Sequence, residues 1–192
     1  MYLVTYTGKK IDYNNITKDC ISMDDIFHSL PKINRFLGHS DRAYSVAEHT
    51  LQCLYMAHAM GYSDRLMLLT LIHDFAESYT GDCPTPLKRL LPEFQVIEKK
   101  FEVAICEHLG IEPATEEEHY WVKRIDSTML AIEMRDLTKH DYMEYVGNHT
   151  IYTVMSGDMF KVKEKEYTDE ELTLIISTEF TRLMDEYEEE DV

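Results

Sequence analysis

Residues 66–82 read LMLLTLIHDFAESYTGD and join an apolar helical segment to a cluster of ionisable side chains. The first seven of these residues suit the core of a helical protein. His73, Asp74 and Glu77 then follow within about one helical turn. In a continuous helix His73 and Glu77, four residues apart, lie on one face, while Asp74 lies about 100° around the axis. An ionised carboxylate that is buried without a partner costs several kcal/mol, so the stretch predicts that other helices supply partners for these groups.

Helix start and stop signals outside this stretch predict an all-α protein with a short N-terminal β-hairpin. Alternating side chains in residues 1–16, with a turn at Thr7-Gly8-Lys9, indicate the hairpin. N-capping serines and threonines, a proline at a first helical position and glycines at helix ends mark the helices. The predicted helices cover residues 45–60, 63 to about 80, 92–109, 115 to about 137, and 168 onward. Residues 139–167 are ambiguous, with a short strand at 151–155.

The length of 192 residues predicts a single domain, whose core covers about residues 17–137. Residues 138–192 are expected to form a C-terminal extension with the last helix and an acidic tail. The formal net charge of −17, from 19 basic and 36 acidic residues, repels nucleic-acid phosphates. The four cysteines lack zinc-knuckle spacing and are expected to be reduced, and no apolar run is long enough to span a membrane. The sequence therefore predicts a cytoplasmic protein that binds neither nucleic acid nor membranes.

Two further predicted helices each carry an ionisable group on an apolar face. His49 lies on the same face as the apolar residues of the first long helix, and Asp126 shares a stripe with Glu133 on a later one. A divalent cation offsets the cost of burying such carboxylates. Together with His73 and Asp74, these groups form a mixed nitrogen and oxygen donor set. Such a set suits Mn, Co, Zn, Fe or Ni, with Mg as a further candidate.

A second His-Asp pair shows why the dipeptide alone is weak evidence. His140-Asp141 is followed by an acid, Glu144, at the offset found in the first pair. No apolar helix precedes this second pair, so it is interpreted as surface chemistry. A single histidine on an apolar face is also more often a core residue than a ligand. The metal-site prediction therefore rests on the joint occurrence of these groups on three helices.

The order of these residues resembles the metal signature of the HD-domain phosphohydrolases. Within that superfamily the chain is similar to the bacterial 5′-deoxynucleotidases and to phage-type relatives, including the phage dATP triphosphohydrolases. The resemblance rests on NRF at residues 34–36, YSVAEHT at 44–50, HDFAE at 73–77 and TGDCPTPLK at 80–88. It covers about residues 1–137 and implies an α-helical HD-domain bundle.

The resemblance implies roles for single residues within these motifs. The implied metal ligands are His49, His73, Asp74 and Asp126. Glu77 matches the family's catalytic carboxylate, which handles protons on the attacking water or on the leaving oxygen. Asp82 matches a further active-site acid, and its alternative interpretation as a simple turn residue has equal weight.

The resemblance also implies a set of substrate contacts, namely Arg35, Phe36, His39 and Lys88. Arg35 matches the arginine that contacts phosphate, which suits a planar guanidinium that is always charged. Phe36 stands where the deoxynucleotidases commonly have tryptophan, which leaves the base selectivity open. His39 either touches the scissile phosphate or hydrogen-bonds a ligand carboxylate.

Two substrate predictions follow within the enzyme class. The first is a 5′-deoxynucleotidase that cuts dNMPs at the α-phosphorus to give deoxynucleoside and phosphate. The second is a dNTP triphosphohydrolase of the dATP type that releases tripolyphosphate. The basic pair Lys88-Arg89 favours the smaller anion, whereas phage-type features of residues 1–49 favour the larger one. The monophosphatase is ranked slightly ahead.

A different class of function is a non-catalytic helical module that binds a nucleotide. The presence of Glu77 beside all four implied ligands argues against it, because a silent site has no need of a proton-transfer group. The resemblance further implies a small-molecule nucleotide substrate and a homo-oligomer.

Overall fold

The computed structural model describes residues 1–141, 143, 160–162 and 167–190. The chain opens with a two-stranded antiparallel hairpin of β1 (Leu3–Val4) and β2 (Lys10–Ile11), in which Leu3 lies opposite Ile11. Gly8, with φ of 85°, supplies the positive φ that the turn requires. The predicted hairpin is thus confirmed, and the strand predicted at 151–155 lies outside the described residues.

Helices account for most of the remaining described chain. Their bounds are α1 (Met23–Ser29), α2 (Val46–Ala59), α3 (Asp64–Ile72), α4 (Glu77–Thr80), α5 (Thr85–Lys88), α6 (Pro92–Leu109), α7 (Glu116–Leu137) and α8 (Asp169–Glu190). The predicted all-α class with an N-terminal hairpin is therefore confirmed. Each helix in the described part of the chain is too short or too polar to cross a bilayer.

Local capping chemistry sets four helix starts and the end of α6 where the sequence predicted them. Four N-cap hydroxyls accept a hydrogen bond from the backbone N–H three residues later: those of Ser45, Ser63, Thr115 and Thr168. At Thr115 the capping box is complete, because the backbone N–H of Thr115 donates to the Glu118 carboxylate at 2.7 Å. Gly110 ends α6 in the left-handed conformation, with φ of 68°.

The helix predicted from residue 63 to about residue 80 is not continuous, and this prediction was wrong. The backbone N–H of Phe75 donates to Ile72 C=O, and that of Glu77 donates to Asp74 C=O, both at 3.0 Å. These bonds span three residues instead of four, so the chain between α3 and α4 is wound like a 3₁₀-helix. The side chain of His73 contributes to this change. Its Nδ1 lies 2.6 Å from the carbonyl oxygen of Thr70, which in an α-helix would accept a hydrogen bond from the backbone N–H of Asp74.

The apolar segment of residues 66–72 is buried throughout and forms the centre of the fold. Helix α3 packs against α2, α7 and α8, so it has no solvent face and needs no polar stripe. The start of α2 is fixed by an antiparallel bridge between Asn34 and Ser45, next to which Arg35 N–H donates to Tyr44 C=O at 2.8 Å. This bridge brings Arg35 close to the first turn of α2, where His49 lies.

Candidate active site

The four side chains implied as metal ligands lie together where α2, α7 and the turn after α3 meet. His49 Nε2 lies 3.4 Å from Asp126 Oδ1 and 3.5 Å from Asp74 Oδ2. His73 Nε2 lies 3.2 Å from the same Asp74 oxygen, and the centroids of the two imidazole rings are 5.4 Å apart. The fold therefore joins groups that the sequence spreads over three helical segments. Their role as ligands stays a prediction.

The cluster has the chemistry and the unsatisfied atoms that suit a divalent cation. His73 Nε2 is buried and makes no hydrogen bond of good geometry to any described residue. Its other nitrogen, Nδ1, donates to Thr70 C=O at 2.6 Å, so in the neutral imidazole the lone pair is on Nε2 and directed at the cluster. Two imidazoles and two carboxylates form a set of nitrogen and oxygen donors that transition metals accept. The residues present therefore fit a metal ion.

Cys53 adds a sulfur to the same place, one turn after His49 on α2. Its Sγ lies 3.6 Å from His49 Nε2, and the donor atoms of His49, Cys53 and His73 all lie within 4.8 Å of one another. The sequence predicted only reduced cysteines and gave Cys53 no role in the site, although the spacing of four residues from His49 was a signal for it. A thiol beside the cluster favours a softer cation than Mg²⁺.

Without a metal ion, the opposite charges of the ionisable groups in the cluster stabilise one another. Burial opposes ionisation of Asp74 and Asp126, yet His73 and His49 hold the pKa of Asp74 below its usual value, and His49 and Lys123 do the same for the pKa of Asp126. Burial and the charge of Arg35 oppose protonation of His49, yet neighbouring acidic groups raise its pKa well above the usual value. The imidazolium therefore supplies positive charge that a metal ion would replace.

Mn²⁺ or Co²⁺ is expected to raise the melting temperature, and to raise it more at pH 8 than at pH 6. At 100 times Kd the expected gain is about 2.7 kcal/mol, or roughly 5–10 °C for a chain of this length. The pH dependence follows from the raised pKa of His49, because a protonated imidazole cannot bind a metal. Melting curves at both pH values, with metal and with chelator, measure the effect. The control Asp141→Asn, in the exposed second His-Asp pair, should show the same metal-induced rise in melting temperature as wild type. A rise of equal size at pH 6 and pH 8 would contradict the role given to His49.

Glu133 joins two of the predicted site residues, although the sequence assigned it no role. Its side chain is fully buried, with 0 % exposure. One carboxylate oxygen lies 2.5 Å from His49 Nδ1, and the other accepts a hydrogen bond from Arg35 Nε at 3.1 Å. The available signal was its position two turns after Asp126 on the same stripe of α7.

Glu77 is buried beside the cluster and is only 5 % exposed. Burial first, and then the charges of Asp74 and Asp82, raise the pKa of Glu77 to about 10. The 3₁₀-like winding aligns residues three apart, so Asp74, and not His73 as predicted, shares a face with Glu77. Burial also raises the pKa of Asp82, and the Asp74 charge adds to that effect. Both acids therefore belong to the electrostatic environment of the cluster.

Arg35 and Phe36 lie at the edge of the cluster on a strained stretch of backbone. Arg35 is only 8 % exposed, and its Nη1 lies 3.7 Å from Asp74 Oδ2. The guanidinium carbon lies 5.7 Å from the centroid of the Phe36 ring, within the range of a cation–π contact. Phe36 and Leu37 have φ values of 56° and 51°, in the left-handed region that non-glycine residues rarely adopt. Strain of this kind is often found at functional sites.

The two remaining predicted substrate contacts differ in their surroundings. Lys88 is partly buried and its Nζ lies 2.8 Å from a carboxylate oxygen of Glu98 on α6. His39 is exposed, and among the described residues its side chain makes no hydrogen bond to a carboxylate of the cluster. The second of its two predicted roles therefore has no support in this arrangement, and contact with phosphate stays a prediction.

A cavity of about 390 Å³ opens beside the cluster, between α3, α6 and α7. Its lining includes His73, Asp74 and Asp126 of the cluster, and more of its surface is apolar than polar, with Leu69, Ile72 and Val122 among the apolar residues. Lys99, Glu102 and Lys123 also line it. Its volume lies in the range of small-molecule sites.

A family model described as HD domain matches residues 27–123 of this chain. The protein YfdR from Escherichia coli (strain K12) is 39% identical over 140 residues, which are 73% of this chain and 74% of YfdR. The 5′-deoxynucleotidase PM0747 from Pasteurella multocida (strain Pm70) is 29% identical over 50% of this chain and 54% of its own. A 5′-deoxynucleotidase from Yersinia pestis (strain Pestoides F) is 33% identical over 48% of this chain and 57% of its own. The similarity to the two deoxynucleotidases therefore covers little more than half of their length.

Proposed function

Because this chain belongs to the HD-domain phosphohydrolase family, we propose that it is a metal-dependent phosphohydrolase of deoxynucleotides. The proposed reaction cuts the 5′-phosphoester of a dNMP at the α-phosphorus and gives deoxynucleoside and phosphate. One observation carries the proposal, namely the convergence of four metal-binding groups beside a buried acid: His49, His73, Asp74, Asp126 and Glu77.

The metal centre is the first part of the proposed mechanism. The residues that would hold the ion are His49, His73, Asp74 and Asp126, and Cys53 lies within reach of the same position. The chemistry that a divalent cation supplies in such a site is polarisation of a phosphoryl oxygen and activation of water at neutral pH. Mn, Co, Zn, Fe and Ni match the donor set better than Mg does.

Glu77 is the proton donor of the proposed mechanism. Its raised pKa keeps the carboxyl protonated at neutral pH, so it can protonate the leaving 5′-oxygen of the deoxynucleoside. A buried acid with a raised pKa beside an ionised one, here Asp74, is the usual arrangement for general acid catalysis at neutral pH. The same carboxyl then recovers a proton from solvent for the next turnover.

Arg35 and Lys88 are the proposed phosphate contacts. Glu133 holds Arg35 by Nε and Nη2, so the guanidinium edge that carries Nη1 is directed towards Asp74 and the cluster. Lys88 adds a second positive charge; burial lowers its pKa, but the hydrogen bond and the charge of Glu98 raise it above its usual value. Both cations can neutralise negative charge that develops on the transferred phosphoryl group.

The charge balance around the cluster supports a monophosphate over a triphosphate. Among the described residues, the cationic side chains that interact with the acids of the cluster include Arg35, Lys88 and Lys123, and each of these three lies within 3.1 Å of a carboxylate. A triphosphate would bring more negative charge into a region that also holds several acids. The apolar cavity walls suit a base and a deoxyribose. Relatives named 5′-deoxynucleotidase further support the monophosphate.

Product analysis is expected to show deoxynucleoside and orthophosphate from dNMPs. Metal-stripped protein is incubated with Mn²⁺ or Co²⁺ and a panel of dNMPs, dNTPs and ribonucleotides, and the products are separated by ion exchange. Tripolyphosphate from dNTPs would instead identify the triphosphohydrolase, which is the second candidate. Asp126→Ala serves as the negative control, because phosphatase contamination would survive that substitution.

A non-catalytic nucleotide-binding module is the alternative from a different class. It would bind nucleotide with measurable affinity while no metal and no nucleotide in the panel gave turnover. The burial of Glu77, with its raised pKa, weighs against this alternative. A site that only binds has no need of an acid that burial makes costly to ionise.

A further inference from the structure

Glu133 accepts hydrogen bonds from both halves of the candidate site. We propose that Glu133 is a positioning residue that fixes the imidazole of His49 for the metal and the guanidinium of Arg35 for the phosphate. This inference rests on the proposed function, because it assigns the two partners their roles in that reaction. It adds a residue that the motifs at 34–36, 44–50 and 73–88 do not contain.

The contact with His49 sets which imidazole nitrogen is available to a metal. An ionised carboxylate can only accept hydrogen bonds, so the His49 Nδ1 that lies 2.5 Å from Glu133 carries the proton. In the neutral imidazole Nε2 then has the lone pair, and Nε2 is the atom that lies near Asp74 and Asp126. A carboxylate behind a metal-binding histidine fixes both the tautomer and the ring orientation. His49 has 0 % exposure, so water cannot replace this partner.

The contact with Arg35 sets the direction of the guanidinium. Glu133 Oε2 accepts a hydrogen bond from Arg35 Nε at 3.1 Å and also lies 3.1 Å from Arg35 Nη2. This charge-assisted contact along one edge limits rotation of the planar group and leaves its Nη1 on the side of Asp74, 3.7 Å from Asp74 Oδ2. A phosphate in the site would therefore meet a guanidinium that is already oriented, which reduces the cost of ordering it.

The surroundings of Glu133 argue against a role in packing alone. It lies on α7 with 0 % exposure, in a stripe with the buried apolar side chains Ile125, Met129 and Ile132 nearby on the same helix. Apolar replacements for a buried ion pair are often neutral or stabilising, so the pair is weak evidence for a stability role. The carboxylate instead contacts His49 and Arg35, which both belong to the candidate site.

Glu133→Gln tests the proposal because it keeps the shape but has one accepting oxygen in place of two. The amide nitrogen must face either His49 Nδ1 or Arg35, and it cannot accept from either of them. We expect Kd for Mn²⁺, measured by titration calorimetry without nucleotide, to rise by about 10- to 100-fold. At saturating Mn²⁺ we also expect KM for the dNMP to rise by about tenfold or more.

Two further variants separate the halves of the proposal. Arg35→Gln removes the second partner but leaves the acceptor for His49, so KM should rise while Kd for Mn²⁺ stays within about threefold of wild type. Glu133→Asp keeps both accepting oxygens and should recover part of the Mn²⁺ affinity that Glu133→Gln loses. If Glu133→Gln fails to fold, the double variant Arg35→Met/Glu133→Met takes its place, because it replaces both members of the buried pair and leaves no uncompensated charge. Mn²⁺ affinity within threefold of wild type in the folded double variant would then overturn the proposal.

The matched control is Asp25→Asn on α1. Asp25 is also a buried carboxylate, 3 % exposed, that accepts two hydrogen bonds, here from Thr7 N–H and Oγ1–H. The Asp25→Asn variant should have a lower free energy of unfolding than wild type but an unchanged Kd for Mn²⁺. A folded Glu133→Gln protein that binds Mn²⁺ within threefold of wild type would overturn the proposal, and so would an equal loss of affinity in Asp25→Asn.

The calorimetric readout keeps this inference distinguishable from the proposed function. If wild type hydrolyses no nucleotide but Glu133→Gln weakens Mn²⁺ binding and Asp25→Asn does not, the positioning of His49 holds and the proposed reaction fails. If wild type hydrolyses dNMPs while Glu133→Gln leaves both Kd and KM unchanged, the positioning role fails and the reaction holds.

Discussion

Glu77→Gln is expected to lower kcat for dNMP hydrolysis by about 10²- to 10⁴-fold, the range for loss of a general acid. The amide has the size of the carboxyl but cannot give a proton to the leaving 5′-oxygen. Metal affinity should change little, because Glu77 is not among the implied ligands. Initial rates at saturating metal and substrate measure the effect. Ser78→Ala, a neighbouring substitution that removes only a hydroxyl bonded to Phe75 C=O, should keep kcat within about threefold.

The same substitution is expected to stabilise the metal-free protein at neutral pH. The pKa of Glu77 is about 10 in the folded protein, against a usual value of 4.5, so between these values the unfolded chain has released a proton that the folded protein keeps. The unfolded state then binds fewer protons, and the free energy of unfolding falls as pH rises through this window. Glutamine does not ionise, so Glu77→Gln removes this dependence of the free energy of unfolding on pH. Its advantage in melting temperature should be small near pH 4.5 and should grow up to pH 8.

Opposite signs for activity and stability are the diagnostic result. A general acid that is costly to bury raises stability when it is removed and lowers the rate at the same time. If Glu77→Gln keeps kcat within tenfold of wild type, another group donates the proton. If the pH slope of the melting temperature in chelator is unchanged by the substitution, Glu77 is not the buried acid that causes it.

Asp74→Asn is expected to remove metal binding and lower kcat/KM by at least about 10³-fold, since a catalytic metal contributes several kcal/mol to the transition state. One oxygen of Asp74 lies within 3.7 Å of three groups of the cluster: His49, His73 and Arg35. The neutral amide keeps the shape but loses the charge that holds these cationic or metal-binding groups together. Titration calorimetry with Mn²⁺ should show at least a 100-fold loss of affinity, beyond that for a residue behind a ligand.

The second His-Asp pair provides the matched control for this prediction. Asp141→Asn makes the same chemical change in the same dipeptide, but His140 and Asp141 are exposed. Its metal affinity and kcat/KM should equal those of wild type. Equal losses in both variants would show that the convergence around Asp74 carries no catalytic meaning.

The parts of the fold that the sequence predicted depend on local chemistry. The hydroxyls of Ser45, Ser63 and Thr115 cap the helices at the predicted residues, because a capping bond spans only three residues. The meeting of His49, His73, Asp74 and Asp126 was predicted from helix faces and from the cost of burying carboxylates. That argument needs no knowledge of how the helices pack.

The parts that were missed depend on contacts that no local pattern contains. The break after Ile72 involves a bond between the His73 ring and Thr70 C=O, whereas helix propensity favours continuation. Glu133 has a role only through Arg35 and His49, which lie on other segments of the chain. In the sequence alone, an acid whose partners are so distant cannot be distinguished from an ordinary polar residue. Long-range pairing of this kind is determined by the fold as a whole.

The position of Glu133 in the chain has a consequence for the order of folding. It lies 98 residues from Arg35 and 84 residues from His49. Loops of that length are entropically costly to close, so such contacts are expected to form after local helices exist. During synthesis His49 and His73 leave the ribosome well before the residues of α7, which complete the cluster. Acquisition of metal affinity during refolding is therefore expected to mark the docking of α7, and a metal-sensitive signal would time that late step.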